Sequence, residues 1–284
     1  VHNGIEYGLM QLISETYDYM RRVMGSTAYE AGMVFAEWNG AELNSFLIEI
    51  TAAVIVKKDE HTGNPLVEMI LDTAGQKGTG KWTSQSAMDF GVPIPTIDSA
   101  VTMRQISSRK TLRGLVSARY ESETGIRSDV GVDDLKKALI FSFIVTYAQG
   151  LTLLSAASGE KNYDLNVAEI AKIWRGGCII RAALLENIRA AYVSDPALQT
   201  LMLDGSHAAV LDNSVSSARK ALSSFVQNGL PTMCLSSAVA YFDAFRSERL
   251  PANLLQAQRD FFGAHTYQRT DMEGTFHTSD WDKH

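Results

Sequence analysis

The sequence predicts an all-α fold, on three observations. Apolar residues recur at helical spacing along almost the whole chain, period-2 alternation is nearly absent, and no pair of alternating runs flanks a hairpin turn. About ten helices account for the pattern. With 284 residues, 45% hydrophobic and 20% charged, the chain can bury a sizeable core. Only six prolines occur, and no Gly-, Ser- or Pro-rich stretch marks a linker.

Ile5, Leu9, Leu12, Ile13, Met20 and Val23 form the first helical stripe, which stops at Gly25. Leu43, Phe46, Leu47, Ile50, Val54 and Ile55 mark a second long helix, closed by the polar loop 57–64. Residues 66–72 read as a short helix, 75–95 as a Gly/Pro-punctuated connection, and 96–120 as one helix. Asp133 or Asp134 caps a helix striped by Leu135, Leu139, Phe143, Tyr147, Leu151 and Leu154. Its other sides carry Ala138, Ile140, Ile144 and Val145, so this helix belongs in the centre of the core. Asn166, three residues before Glu169, is a capping-box variant opening a short helix to Trp174. Gly176 and Gly177 separate it from a helix over 178–192, and helices over 206–228, 232–245 and 251–262 follow. From Thr266 onward an irregular polar tail carries Phe276 and Trp281 as isolated bulky groups, which a dimer partner would bury.

The formal net charge of -6 excludes a general nucleic-acid binder, which needs a basic surface to neutralise phosphates. It leaves room for a local basic pocket that takes a small anion. Cys178 and Cys234 have no metal-ligand spacing around them; they read as buried, reduced thiols, and no metal is expected. No run approaches the ~20 apolar residues of a membrane span, and the N-terminus lacks a charged-then-apolar signal pattern. A soluble, cytoplasmic protein is the expectation.

Two patterns carry chemistry. On a helix, His2 and Glu6 are i,i+4 neighbours, as are Asn3 and Tyr7, so four hydrogen-bonding side chains share little more than one turn. Glu6 falls at the edge of the apolar stripe, where partial burial would raise its pKa towards that of a general acid. The same spacing also serves a solvated helix start with an ion pair. The second pattern, Gly75 to Lys81, reads G-x-x-x-x-G-K, a phosphate-binding loop up to its last position. There Trp82 stands where Ser or Thr would hold Mg²⁺, so a nucleoside-triphosphate site is rejected. A glycine-rich loop with Lys77, Lys81 and Thr79 can still bind a phosphate monoester; a plain turn between helices is the alternative. Arg104, Arg259 and His265 attract no notice by spacing alone. Trp174-Arg175-Gly176-Gly177-Cys178 reads as a helix end with a glycine break and a packed Trp.

HNGIEYG (2–8), FLIEIT (46–51), DTAGQKGTGKWT (72–83), YAQG (147–150), WRGGCIIR (174–181) and QAQRDFFGAHTY (256–267) resemble, in order and over the whole chain, the decarboxylating 6-phosphogluconate dehydrogenases. The resemblance implies a large all-α domain that follows a Rossmann domain. It implies oxidation of 6-phospho-D-gluconate at C3 with NADP, loss of CO2, and tautomerisation of the enediol to ribulose 5-phosphate. On this resemblance Glu6 is the general acid at C1. His2 and Asn3 bind substrate, Asn3 also lying near the nicotinamide. Tyr7, Lys77, Thr79 and Arg104 surround the sugar phosphate. Arg259 and His265 complete the pocket of a neighbouring subunit in a homodimer. Residues 1–265 are then the substrate-binding and dimerisation domain, and 266–284 a tail reaching the partner, short beside the longest members.

The chain starts at Val1, so the family's general-base lysine, three positions before the equivalent of His2, falls outside it, as does the dinucleotide-binding domain. The chain alone is expected to be inactive, and the residue that separates NADP from NAD lies in that other domain. A non-catalytic helical sugar-phosphate-binding or dimerisation protein is the alternative.

Overall fold

The computed structural model describes residues 1–120 and 128–282. Among them the chain is all-α: thirteen α-helices, one short 3-10 turn at Leu201–Leu203, three isolated bridges and no strand. The first six helices are α1 (His2–Arg22), α2 (Ala28–Asn39), α3 (Phe46–Val56), α4 (Leu66–Met69), α5 (Thr79–Asp89) and α6 (Pro95–Ser107). They are followed by α7 (Lys110–Arg119), α8 (Val132–Lys161), α9 (Val167–Arg175) and α10 (Leu184–Ser194). The last three are α11 (Gly205–Gln227), α12 (Met233–Phe245) and α13 (Ala252–Gly263).

Several sequence expectations need correction. The helix α2 went unread, although Thr27 and Glu30 form a reciprocal capping box at its start. The connection 75–95 contains α5, and the single helix expected over 96–120 is two, broken at residues 108–109. The helix expected from Cys178 begins only at Leu184. Residues 178–183 instead turn, pairing Phe46 N–H with the Arg181 carbonyl and Ala183 N–H with the Asn44 carbonyl. Asn166 does cap α9, accepting from Glu169 N–H at 3.0 Å, but the Glu169 carboxylate turns to Lys172, so the box is half made.

At the centre runs α8. Phe141, Val145, Tyr147, Ala148 and Leu151 are fully buried, as its apolar character on several sides predicted. It is long and apolar enough to cross a bilayer, contrary to the sequence expectation, yet 78% of that apolar window is covered by the protein itself. Its polar groups find partners inside the core: Ser142 and Thr146 donate to the carbonyls one turn back, and Tyr147 donates to the Ile180 carbonyl at 3.0 Å. Gln149 accepts from Thr96 N–H at 3.0 Å and donates to the Thr96 hydroxyl at 2.8 Å, fixing the start of α6 against α8.

Against α8 lies α1, burying Ile5, Leu9, Leu12 and Ile13; each such side chain contributes about 1.5–3 kcal/mol. Further along α1, the buried carboxyl of Glu15 accepts from the backbone N–H groups of Cys234 and Leu235 at 3.0 and 3.1 Å and so caps α12. Burial pushes Glu15 up to about 7, against the pull of these hydrogen bonds. The apolar stripe of α1 thus anchors a helix whose first two turns carry the candidate site.

The chain divides into two compact units, Val1–Tyr241 and Phe242–His284. The second takes in α13 as well as the segment after residue 265, which is irregular as expected, with one isolated bridge, but is not without apolar contacts of its own. Tyr267 and Phe276 exchange backbone hydrogen bonds at 2.9 and 2.8 Å, and their rings stack at 6.2 Å. Trp281 meets Tyr267 at 6.0 Å. Asp260 is fully buried and accepts four bonds: from Thr266 N–H, His277 Nδ1, Thr278 N–H and Trp281 Nε1, all between 2.9 and 3.0 Å. The bulky groups expected to be isolated therefore have partners: Phe276 stacks on Tyr267, and Trp281 meets Tyr267 and bonds the Asp260 carboxylate.

Candidate functional site

The first two turns of α1 bring His2, Asn3, Glu6 and Tyr7 together, as their spacing predicted. Glu6 is half-buried, and Asn3 Nδ2 donates to its Oε2 at 3.1 Å. Burial raises the Glu6 pKa above the usual carboxylate value. The Arg104 guanidinium and the Asn3 bond pull the other way without cancelling it. His2 shows the same effect with the opposite sign: burial lowers its pKa, which favours the neutral imidazole.

The Tyr7 ring is buried, and the Arg104 guanidinium lies over it, Cζ 3.3 Å from the ring centroid. Arg104 comes from α6 and also donates to the Gly75 carbonyl at 3.3 Å, which ties it to the glycine-rich loop. That loop ends at Gly78, whose φ of +92° suits glycine, and α5 starts at Thr79. Gly80 lies against the Tyr7 ring, so the first turn of α5 abuts the second turn of α1. Lys77 stands exposed in the loop and Thr79 is half-buried at the head of α5. Backbone N–H groups at a helix start, two lysines and a ring-supported arginine are groups that could hold an anion, near a carboxyl whose protonated form burial favours.

Arg259 and His265 belong to the second unit and make their contacts there. Arg259 is exposed and donates to Gln256 at 3.0 Å; His265 is exposed, its ring edge-on to Phe262 at 6.0 Å.

Two further residues border the site. Trp174, in the last turn of α9, meets the His2 ring edge-on at 5.6 Å. The Cys178 thiol donates to the Trp174 carbonyl at 3.0 Å, and its pKa is raised, by burial first and slightly by the Glu6 carboxylate. Cys178 is half-buried, more open than expected, whereas Cys234 is buried; both are free thiols. The WRGGC segment does close a helix at a glycine break, and it also stands against His2. No local spacing could announce this, because 172 residues separate the two partners.

Among the described residues no three potential ligands gather as a metal site. For a nicotinamide, Asn3 has suitable chemistry: one amide N–H bonds Glu6, and the amide has a second N–H donor and a carbonyl acceptor.

Groups suited to an anion, set near a half-buried carboxyl, are the chemistry this helical scaffold offers. The comparisons narrow it. Residues 1–281 match the family model described as 6-phosphogluconate dehydrogenase, C-terminal domain. The NADP(+)-dependent decarboxylating 6-phosphogluconate dehydrogenase of Bacillus subtilis is 53% identical over 100% of this chain and 61% of its own length. The Escherichia coli decarboxylating enzyme is 48% identical over 98% of this chain and 60% of its own. A solved 6-phosphogluconate dehydrogenase of Plasmodium falciparum, studied apo, with its cofactor NADP+ and with its substrate 6-phosphogluconate, superposes with a TM-score of 0.95 at 46% identity. That match covers 98% of this chain and 61% of the other. The chain belongs to the 6-phosphogluconate dehydrogenase C-terminal domain family, and it spans about 60% of the length of these relatives.

Proposed function

We propose that this chain is the helical, substrate-binding part of a cytoplasmic enzyme that oxidatively decarboxylates 6-phospho-D-gluconate to ribulose 5-phosphate and CO2 while reducing NADP. One observation carries the reading: a half-buried Glu6 whose pKa burial has raised, next in sequence to the Tyr7 ring that supports Arg104. NADP, when bound, accepts the hydride from C3, and the resulting β-keto acid loses CO2 to leave an enediol. The Glu6 carboxyl then protonates C1 to give the ketose and regains its proton from solvent. Asn3 orients that carboxyl through its amide bond, and His2, neutral near pH 7, offers a hydrogen bond to a substrate hydroxyl without adding charge.

At the far end of the substrate, Arg104, Lys77, Thr79 and Tyr7 take the phosphate. Arginine suits a planar, two-point grip on phosphate oxygens, and lysine adds a point charge. A phosphate handle lets remote binding energy orient C1 and C3, so its loss lowers turnover as well as affinity. Arg259 and His265 serve the site of a neighbouring subunit in a homodimer, and the general base and most of the NADP site are those that the family carries ahead of its helical domain.

The test is expression of the full-length enzyme and, separately, of these 284 residues. NADPH absorbance should rise with 6-phosphogluconate for the first and stay flat for the second; turnover by the second alone would overturn the division of labour. For the shared site, a full-length Glu6→Gln enzyme is mixed with a full-length Arg259→Ala enzyme. Hybrid dimers then contain one site free of both changes and should exceed either parent in activity. A mixture that stays inactive after verified subunit exchange places Arg259 in its own chain's site.

A further inference from the structure

We propose that Gly80 is a positioning residue for phosphate recognition, because its missing side chain sets where Tyr7 holds Arg104. Three helices meet at this point. A Cβ at Gly80 would stand 2.6 Å from both Cδ2 and Cε2 of Tyr7 on α1, and 3.0 Å from Cγ2 of Val101 on α6. The first distance is too short for a carbon contact and the second is tight, so something must give. The helices α1 and α5 also approach closely one turn away, where Gly4 faces Thr83 in the reciprocal contact: a Cβ at Gly4 would lie 2.6 Å from Thr83 Cγ2. The group that the added carbon meets most closely is the Tyr7 ring. That ring is the surface on which the Arg104 guanidinium rests at 3.3 Å. Val101, the second group a methyl would push, lies one turn before Arg104 on the same helix. A single methyl at Gly80 therefore presses on Arg104 twice, through its aromatic support and through its own helix.

This inference rests on the reading of Arg104 as a phosphate ligand, and the experiment separates the two. Full-length enzymes carrying Gly80→Ala, Gly4→Ala and Arg104→Ala are compared with the parent, using 6-phosphogluconate and unphosphorylated gluconate. The readouts are kcat, KM and thermal midpoint. Gly80→Ala should raise KM for 6-phosphogluconate by roughly tenfold, the size of one weakened charge-assisted contact, with gluconate little changed. Gly4→Ala should lower the thermal midpoint comparably and leave the preference for the phosphorylated substrate intact. If Arg104→Ala leaves that preference intact, the phosphate reading itself fails. If Arg104→Ala removes it and a folded Gly80→Ala keeps it, only the role of Gly80 is overturned. Should Gly80→Ala not fold, Tyr7→Leu and Tyr7→Phe decide the matter: the first takes away the aromatic support and frees space beside Gly80, and the second keeps the support. Tyr7→Phe also loses the hydroxyl assigned to the phosphate and so sets the reference: a larger loss of preference in Tyr7→Leu than in Tyr7→Phe supports the proposal, and equal loss in both, or in neither, overturns it.

Discussion

Arg104 and Arg259 are both arginines that the family pattern assigns to one substrate, yet the molecule prepares them very differently. Arg104 is half-buried, laid on the Tyr7 ring and tied to the Gly75 carbonyl, so most of its side-chain freedom is already lost before any ligand arrives. Arg259 is exposed, and among the described residues it is bonded to Gln256 one turn back on its own helix. Rigidity in the second unit is concentrated instead on Asp260, the next residue, which gathers four donors. Preorganisation cuts the entropy lost on binding. The first unit therefore fixes its arginine directly, whereas the second fixes the frame that carries Arg259.

The largest expected effect tests the fixed half. Glu6→Gln in the full-length enzyme should lower kcat by roughly 10²–10⁴, the range of general acid catalysis, with a much smaller change in KM. Equal losses in both would make Glu6 a binding group. Next comes the seat of α1. With Glu15 raised from 4.5 to about 7, its protonated form is favoured in the folded state, so its contribution is full below about pH 4.5 and is lost as pH rises through 7. Over that window the loss is about 3 kcal/mol at most. Chemical denaturation should show stability falling from pH 5 to pH 8, with a flatter profile in Glu15→Gln; parallel profiles would remove Glu15 as the cause.

A smaller effect sharpens the contrast between the two arginines. Arg104→Ala or Lys77→Ala should weaken 6-phosphogluconate by about 1.5–3 kcal/mol relative to gluconate in direct titration. Comparable losses for both ligands would mean that these cations serve structure. The smallest expected effect on chemistry, and the clearest on frame, is Asp260→Asn. An amide NH2 would face two of the four donors, so residues 266–282 should be cut faster in limited proteolysis while the thermal midpoint of the first unit stays in place. Burial works against the Asp260 carboxylate, but its four hydrogen bonds hold the pKa well below the usual range. The frame should therefore survive above pH 4 and loosen as pH falls below it. Unchanged cleavage in the Asn variant would show that ring packing alone holds the segment.

The sequence by itself determined the helical class, the burial of α8 on several sides, and the grouping of His2, Asn3, Glu6 and Tyr7, because each is a matter of spacing along one helix. It also contained a signal that went unread: Thr27 and Glu30, three apart, announce α2. Tertiary structure decided what depends on residues far apart in the chain. The helix over 96–120 breaks because its first part is held by Gln149 and Arg104, while α7 beyond the break buries no residue. Residues 178–183 give up helix for backbone pairing with residues 44–46. Phe276 and Trp281 looked unpartnered because nothing local shows that Tyr267 and Asp260 fold back to meet them. The raised pKa of Glu6, the Trp174 contact to His2 and the fit of Gly80 against Tyr7 all arise from packing between separate helices. Periodicity records which face of a helix is apolar; it does not record which other helix will cover that face, and the chemistry of this site lies in those crossings.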